Sequence, residues 1–192
     1  MYYPIMVELK EKEITVIGGG KVAYRKVSNF ISFGYYVRII SPRLIKEFNN
    51  IEDKINIIND IYKEDYIKDS FIVVAATDNK ELNETIGLYC KQNNKLCNVV
   101  DNPSLSSFIV PSVVKRGDLI ISVSTCGKSP SLSAKIKNDL EEQYNDDYEE
   151  YVNLLGNIRN KVLEKYKDKA EKRKLLNRLI YMSLEELRNL DI

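Results

Sequence analysis

Histidine is absent from all 192 residues of this chain. It is the commonest general acid or base at neutral pH and the commonest protein ligand for metal ions. Its absence excludes a Ser-His-Asp triad, a Cys-His dyad and an HExxH metal site, and we expect no resident metal. Any proton transfer must therefore use Asp, Glu, Lys, Tyr, Cys or a group on the substrate.

Cysteines and long apolar runs are also scarce. The three cysteines, Cys90, Cys97 and Cys126, are odd in number and form no CxxC pair. This pattern argues against a disulfide framework and a structural zinc site. No run of about 18 apolar residues occurs, and the first residues lack the features of a secretory signal. We therefore expect a cytoplasmic protein without a membrane partner.

Neither sign of charge is in excess. The 29 basic and 28 acidic side chains leave a net charge of +1. This balance argues against a nucleic-acid partner held by a strong overall positive field. The length of 192 residues suits one large domain, or one domain with a small appendage.

Glycine and proline divide the chain into two regions. The five prolines and all glycines except Gly156 lie in residues 1–143, whereas 20 of the last 49 residues are charged. The first region has the turns that alternating strands and helices need, and residues 144–192 resemble helices alone. Apolar residues three and four apart predict two amphipathic helices there, and Ser183 to Glu186 is a capping-box pattern that opens a third. We interpret this region as a helical cap or dimerisation element, with a basic nucleic-acid face as the alternative.

Short apolar runs rich in β-branched residues predict seven strands. They cover residues 13–17, 36–40, 55–58, 71–76, 98–100, 108–110 and 119–123. Such runs fit strands buried on both faces of a parallel sheet. Helical patterns occur between them at residues 21–33, ended by Gly34, and at residues 79–94. The alternation predicts an α/β fold with a doubly wound parallel sheet.

A glycine-rich segment joins the first predicted strand to the first predicted helix. Gly18 permits a tight turn, Gly20 lets the backbone approach a pyrophosphate, and Ala23 allows close packing of helix on strand. The free amides of the helix N-terminus would then face the phosphates. The sequence therefore predicts a dinucleotide site here, and a glycine-rich turn without a ligand is the alternative.

The acidic residue that usually binds the adenosine ribose is missing after the second predicted strand. Ser41, Pro42 and Arg43 stand there instead. Ser41 could bond a ribose hydroxyl, and Arg43 could meet a 2′-phosphate, stack on adenine or merely cap the loop. The residues alone therefore leave NAD and NADP open. After the fourth strand, Thr77 and Asp78 are predicted near the cofactor, although Asp78 could equally be a helix N-cap.

Further polar residues follow two later strands. Asp101 comes directly after a strand, and a carboxylate is the natural base in an enzyme without histidine, although a turn aspartate is the alternative. Ser124, Thr125 and Lys128 precede a predicted helix that starts with an N-cap serine, Ser129, and a proline. These hydroxyls, free amides and lysine form a second surface that suits anions. The two surfaces together suggest a dinucleotide and an anionic substrate.

Six segments, in this order and spacing, resemble the precorrin-2 dehydrogenase family. This family includes stand-alone dehydrogenases and the N-terminal module of bacterial sirohaem synthase. The segments are residues 3–7, 16–26, 75–78, 97–101, 107–112 and 123–130. Their combination is more specific than the glycine loop alone.

The resemblance implies a Rossmann-like NAD-binding domain at residues 1–106, a dimerisation and substrate-side segment at 107–143, and an all-helical domain at 144–192. It implies a homodimer that oxidises precorrin-2 to sirohydrochlorin, for sirohaem or cobalamin, with NAD as the hydride acceptor. Asp101 matches the family's catalytic aspartate. The positions that match its cofactor contacts are Lys21, Val22, Pro42 and Arg43. Because the family uses NAD without the usual ribose-binding acid, the implied cofactor is NAD.

The substrate implied by the resemblance carries eight carboxylates. We expect the substrate to be bound by Asn98, Arg116, Ser124, Thr125 and Lys128. The alternative for each cation is that it is solvated at the protein surface and binds no ligand. Lys135 is a further candidate of the same kind. We also expect the apolar segment 108–114 to pack against a partner subunit.

Three other functions remain open from the sequence. The enzyme could also insert iron or cobalt into sirohydrochlorin, with Asp101 as the proton acceptor. The fold could instead sense NAD without turnover, or the tyrosine-rich C-terminal helices could bind a protein partner. From the length of 192 residues, we expect no methyltransferase like that of the fused family members.

Overall fold

The structure is a computed structural model that describes residues 2–100 and 102–190. It contains two compact units, Met1–Ile109 and Val110–Ile192. In the described part of the chain, none of the helices has the length and apolar character that a membrane span requires.

A five-stranded parallel sheet forms the centre of the first unit. Its strands are β1 (Ile14–Ile17), β2 (Val37–Ile40), β3 (Ile55–Ile58), β4 (Ile72–Ala75) and β5 (Leu96–Val99). They lie in the order β3-β2-β1-β4-β5, so the direction of winding reverses between β1 and β4. All four residues of β1 and of β4 are buried. Burial on both faces explains why these segments are continuously apolar instead of alternating.

Helices cover both faces of this sheet. Helix α1 (Lys21–Ser32) contributes Ala23 and Val27 to the core on one face, and α2 (Lys80–Gln92) contributes Ile86 and Cys90 to the core on the other. Helix α1 ends before Gly34, whose positive φ of 86° is a conformation that glycine adopts without strain. The α/β doubly wound fold predicted from the sequence is therefore confirmed.

The second unit combines a small sheet with four helices. Strands β6 (Ser112–Arg116) and β7 (Leu119–Val123) pair antiparallel, and the helices are α3 (Pro130–Gln143), α4 (Asp147–Lys165), α5 (Lys169–Leu179) and α6 (Leu184–Arg188). Ile158, Val162, Leu179 and Leu187 form its buried core. The predicted capping box opens α6, where the Ser183 side chain accepts a hydrogen bond from the Glu186 N–H.

One predicted strand is absent, and another lies outside the predicted sheet. Residues 108–110 form no strand, because the Phe108 carbonyl accepts a hydrogen bond from the Asn98 side chain (3.2 Å) and Pro111 has no N–H to donate to a ladder. The segment 119–123 is a strand, but it does not join the parallel sheet. Gly117 and Asp118 connect it directly to β6, and a two-residue connection permits only antiparallel pairing.

Candidate dinucleotide-binding site

Gly18 and Gly19 hold the glycine loop tightly between the loops that follow β4 and β2. Gly18 has a φ of 122°, and a Cβ added there would lie 2.3 Å from the Ala76 carbonyl oxygen. A Cβ on Gly19 would lie 2.0 Å from the Arg43 carbonyl oxygen. Gly19 lies outside the predicted pattern of Gly18, Gly20 and Ala23, and no role was predicted for it. The run of three glycines was the signal that it packs closely against a neighbour.

Gly20, in contrast, faces open space. A Cβ added to it would meet nothing within 4 Å. Gly20 is the N-cap residue of α1, it provides no side-chain cap, and the first turn of α1 carries no acidic side chain. A helix N-terminus of this kind accepts an anion such as a pyrophosphate. Lys21 and Val22 follow in the first turn, and both are exposed.

The loop after β2 is shaped by Ser41. Its side chain is 7% exposed, and its hydroxyl donates a hydrogen bond to the Arg43 carbonyl (2.7 Å). The Ile45 N–H donates to the Gly19 carbonyl (3.0 Å) and fixes this loop against the glycine loop. Pro42 and Arg43 are exposed at its outer side. Ser41 therefore forms the loop beside the predicted ribose position, while Arg43 faces solvent.

The loop after β4 is held by a buried asparagine, Asn83 of α2. Its Oδ1 accepts hydrogen bonds from the Thr77 N–H (3.1 Å) and hydroxyl (2.7 Å), and its Nδ2 donates to the Thr77 carbonyl (3.0 Å). Asp78 is exposed and is not the N-cap of α2. That position is Asn79, whose side chain accepts a hydrogen bond from the Leu82 N–H. The Thr77 hydroxyl donates to the Asn79 carbonyl and accepts from the Asn79 N–H.

In the sequence, the predicted base follows the residues of β5. Asp101 lies outside the described residues. Asn98 is 8% exposed, and its amide nitrogen donates to the Phe108 carbonyl. Among the described residues its Oδ1 has no hydrogen-bond partner. The Ser106 hydroxyl accepts a hydrogen bond from the Val99 N–H, and the Ser107 hydroxyl accepts one from the Cys97 N–H. These bonds hold the segment of Ser106 and Ser107 beside β5.

The loop between β7 and α3 is organised by Thr125. The Thr125 hydroxyl donates to the Ser129 carbonyl and accepts from the Ser129 N–H, both at 3.0 Å. Ser129 caps α3, and the Ser124 hydroxyl accepts from the Cys126 N–H (3.0 Å). Lys128 is exposed in this loop. Ser124, Thr125 and Lys128 thus lie in one loop before the N-terminus of α3, and the binding of an anion by this loop stays a prediction.

Two of the predicted substrate-binding cations have partners inside the second unit. The Arg116 Nε lies 3.1 Å from the Asp146 carboxylate, and its side chain is 18% exposed. The Lys135 Nζ lies 2.7 Å from the Asp139 carboxylate one helical turn away. Arg116 is therefore largely covered within the second unit, whereas Lys135, with 71% of its side chain exposed, and the exposed Lys128 are both accessible to an anion. In residues 2–100 and 102–190, no three Cys, Asp or Glu side chains cluster in a way that could hold a metal ion.

Asp60 follows β3, the strand next to β2, and its carboxylate forms an ion pair with Lys63. The carboxylate accepts hydrogen bonds from the Lys63 Nζ (2.5 Å), the Tyr66 hydroxyl (2.5 Å) and the Ile61 N–H (2.7 Å). The hydrogen bonds from Lys63, Tyr66 and Ile61 lower the pKa of Asp60 to about 2. The same contact raises the pKa of Lys63.

A parallel sheet in this order, with a glycine loop at the point where its winding reverses, defines a dinucleotide-binding Rossmann domain. The glycine loop has room for a pyrophosphate, because the space around Gly20 is open at the N-terminus of α1. Gly18 and Gly19 pack closely against the neighbouring loops. A family model described as "Putative NAD(P)-binding" matches residues 5–112, and the chain belongs to this NAD(P)-binding family.

Several known proteins are similar to the chain. It is 35% identical over 174 residues to the siroheme synthase of Ruthia magnifica subsp. Calyptogena magnifica, which covers 90% of this chain and 37% of that protein. It is 30% identical over 192 residues to the siroheme synthase of Nitrosospira multiformis, and this match covers 97% of this chain and 41% of that protein. The chain thus spans about two fifths of the length of these curated relatives.

A solved structure resembles nearly the whole chain. It is that of SirC, precorrin-2 dehydrogenase, with a TM-score of 0.78 and 27% sequence identity, over 97% of this chain and 96% of that one. The family resemblance stated from the sequence is confirmed by these matches, and so is the NAD cofactor expected from it.

Proposed function

We propose that this chain is an NAD-dependent precorrin-2 dehydrogenase that forms sirohydrochlorin for sirohaem synthesis. The observation that carries the proposal is the match to SirC, precorrin-2 dehydrogenase, over almost the full length of both chains. The open Gly20 position at the N-terminus of α1 supports it independently, because an NAD-dependent enzyme needs a site for the pyrophosphate.

Each group of residues has a distinct role in the proposed reaction. The glycine loop binds the pyrophosphate, and the Thr77 loop, held by Asn83, borders the same edge of the sheet. NAD+, when bound, supplies a nicotinamide that accepts a hydride. Asp101 takes up the proton that the substrate loses, since a carboxylate is a suitable base where histidine is absent. Thr125 shapes the loop from which Lys128 meets substrate carboxylates.

An anaerobic assay with enzymatically made precorrin-2 tests this function. We expect sirohydrochlorin absorbance and NADH to appear together in equal amounts. Absence of turnover with both NAD+ and NADP+, from a protein that binds a dinucleotide, would support an NAD-sensing module instead. Fe²⁺ or Co²⁺ added afterwards to sirohydrochlorin and protein shows whether the chain also accelerates metal insertion.

We also propose that the chain acts as a cytoplasmic homodimer. The N-terminal segment of the first unit exposes several large apolar side chains, which single folded domains usually cover. They include Tyr3 (84% exposed), Ile5 (69%) and Met6 (73%). The segment 108–114 adds partly buried apolar residues, Phe108 and Ile109 among them. A molar mass in solution equal to that of one chain would contradict the dimer.

A further inference from the structure

The helices of the second unit carry their charges in separate stretches of the chain. Residues 161–178, the cationic segment, cover the end of α4 and nearly all of α5, and they contain eight basic and three acidic side chains. The rest of residues 144–192 contains two basic and seven acidic side chains. The balanced charge of this region as a whole therefore includes a local excess of positive charge.

The cations of α5 are placed where they repel one another. Lys169 and Arg173 lie four residues apart on this helix. Lys174 and Arg178 repeat that spacing. Like charges four residues apart destabilise a helix. Lys169 is also the first residue of α5, where the helix dipole disfavours a positive charge. The stability of α5 therefore does not explain these cations.

Helix α3 of the same unit shows the opposite arrangement. The Lys135 Nζ lies 2.7 Å from the Asp139 carboxylate, one helical turn away. The Lys137 Nζ lies 2.7 Å from the Glu141 carboxylate at the same spacing. Such pairs of opposite charge stabilise a helix. Helix α5 thus lacks the charge pairing that its neighbour in the chain has.

Three exposed cations of α5 have no carboxylate partner in the part of the chain that the structure describes. They are Lys169, Arg173 and Lys174, and none of them forms an ion pair. The nearby Asp168 carboxylate caps α5 instead and accepts a hydrogen bond from the Glu171 N–H (2.8 Å). These three positive charges can therefore meet an anion from solution.

The spread of these charges suits a compact anion with several separate carboxylates. The helix rises by about 13 Å from Lys169 to Arg178, which is more than one carboxylate or phosphate can span. The substrate of the proposed reaction, precorrin-2, carries eight carboxylates. A nucleic-acid duplex is less suitable, because it would extend beyond the segment and meet the acidic excess of the flanking residues.

We propose that the cationic segment is a capture surface for the polycarboxylate substrate, which it attracts from solution so that the substrate associates faster with the protein. Complementary charge raises association rates, and salt weakens this effect. The proposal rests on the proposed function, since its ligand is the substrate of that reaction. The predicted site residues all lie outside residues 161–178, so the surface is an addition to the predicted site.

Stopped-flow association of the full chain with uroporphyrin III tests the proposal without turnover, because this stable porphyrin also carries eight carboxylates. The test variant combines Lys169→Gln, Arg173→Gln and Lys174→Gln. At about 20 mM salt its association rate constant should be roughly tenfold below that of the parent. At about 0.5 M salt the difference should be less than about twofold. With mesoporphyrin, which carries two carboxylates, the difference should be less than about twofold at either salt concentration.

A matched control neutralises three exposed lysines of the first unit, by Lys10→Gln, Lys54→Gln and Lys91→Gln. It lowers the net charge of the chain as much as the test variant does, and its association rate constant should stay within about twofold of the parent. The test variant should melt at the temperature of the parent or above it, because the substitutions remove like-charge repulsion from an exposed helix surface.

Three results would overturn the proposal and leave the proposed function intact. They are no association of uroporphyrin III, equal rates for the parent and the test variant at low salt, and an equal fall in the control. Tighter binding of a DNA duplex of about 20 base pairs, lost in the test variant, would assign the surface to nucleic acid instead. Absence of precorrin-2 turnover would overturn the proposed function, and the uroporphyrin III rates would still show whether the segment captures polycarboxylates.

Discussion

The Asn83 side chain forms three hydrogen bonds with Thr77, accepting from its N–H and hydroxyl and donating to its carbonyl. Asn83 is 5% exposed and belongs to α2, whereas Thr77 lies in the loop between β4 and that helix. The helix therefore determines the shape of the loop that borders the cofactor edge of the sheet.

Replacing Asn83 by alanine should destabilise the protein and weaken NAD+ binding. The change removes the partner of the Thr77 N–H in a partly buried site, which costs about 1–3 kcal/mol of the free energy of unfolding. Urea denaturation and calorimetric titration measure the two effects. The exposed Asn50→Ala is the control and should stay within about 0.5 kcal/mol. An Asn83→Ala protein with unchanged stability and affinity would show that these bonds do not hold the loop.

Alanine at Gly18 and at Gly20 should have opposite consequences. Gly18→Ala places a Cβ 2.3 Å from the Ala76 carbonyl oxygen at a φ of 122°, so it should lower the free energy of unfolding by about 2 kcal/mol or more. Gly20→Ala meets no neighbour within 4 Å and should cost less than about 1 kcal/mol. It should nevertheless weaken NAD+ binding by roughly tenfold, because the added methyl group occupies the approach of the pyrophosphate.

Melting curves and NAD+ titrations of the two glycine variants separate these effects. A stable Gly20→Ala protein with full NAD+ affinity would mean that the pyrophosphate binds elsewhere. A fully stable Gly18→Ala protein would contradict the close approach of the β1 and β4 loops.

The ion pair of Asp60 should make the free energy of unfolding depend on pH in the acidic range. The folded-state pKa of about 2 lies below the ordinary value of 3.8, so the stabilisation by Asp60 is present above pH 3.8. It is lost progressively as the pH falls from 3.8 through about 2, because the protonated carboxyl no longer holds Lys63. Asp60→Asn should make the free energy of unfolding less dependent on pH between 3.8 and about 2. Carboxyl NMR checks the value directly, and a titration midpoint near 3.8 would disprove the proposed contacts.

Asp101→Asn should abolish turnover while NAD+ still binds. Loss of a general base commonly lowers the rate by about 10²–10⁴-fold, and the amide keeps the shape of the side chain. Single-turnover anaerobic kinetics with precorrin-2 and calorimetric titration with NAD+ measure the two quantities. The exposed Asp69→Asn serves as the control and should retain the parent rate. Turnover in Asp101→Asn close to that of the parent would assign the proton to another acceptor.

The sequence predicted most secondary structure because its signals are local. Helix α1 was expected at residues 21–33 and occupies Lys21–Ser32, since the apolar periodicity and Gly34 lie within one short window. The error at residues 108–110 arose because an apolar run alone does not show whether its backbone groups have strand partners. There, the Asn98 side chain binds the Phe108 carbonyl instead.

The candidate site was predictable in part for the same reason. The pattern of Gly18, Gly20 and Ala23 places a dinucleotide loop by short-range spacing alone. The roles of Gly19 and Asn83 were missed. The run of three glycines was a signal for Gly19, whereas Asn83 belongs to no recognisable pattern. The domain limits and the functions of individual site residues stay predictions.

By itself, the sequence determined the order of strands β1 to β5 and helices α1 and α2, the glycine loop after β1 and the absence of histidine chemistry, because each depends on residues close together in the chain or on composition. Only the tertiary structure decided that Gly18 packs on the Ala76 carbonyl and that Gly19 packs on the Arg43 carbonyl. The physical reason is that parallel strands bring together loops that are many residues apart, and their contacts exist only once the strands are in register.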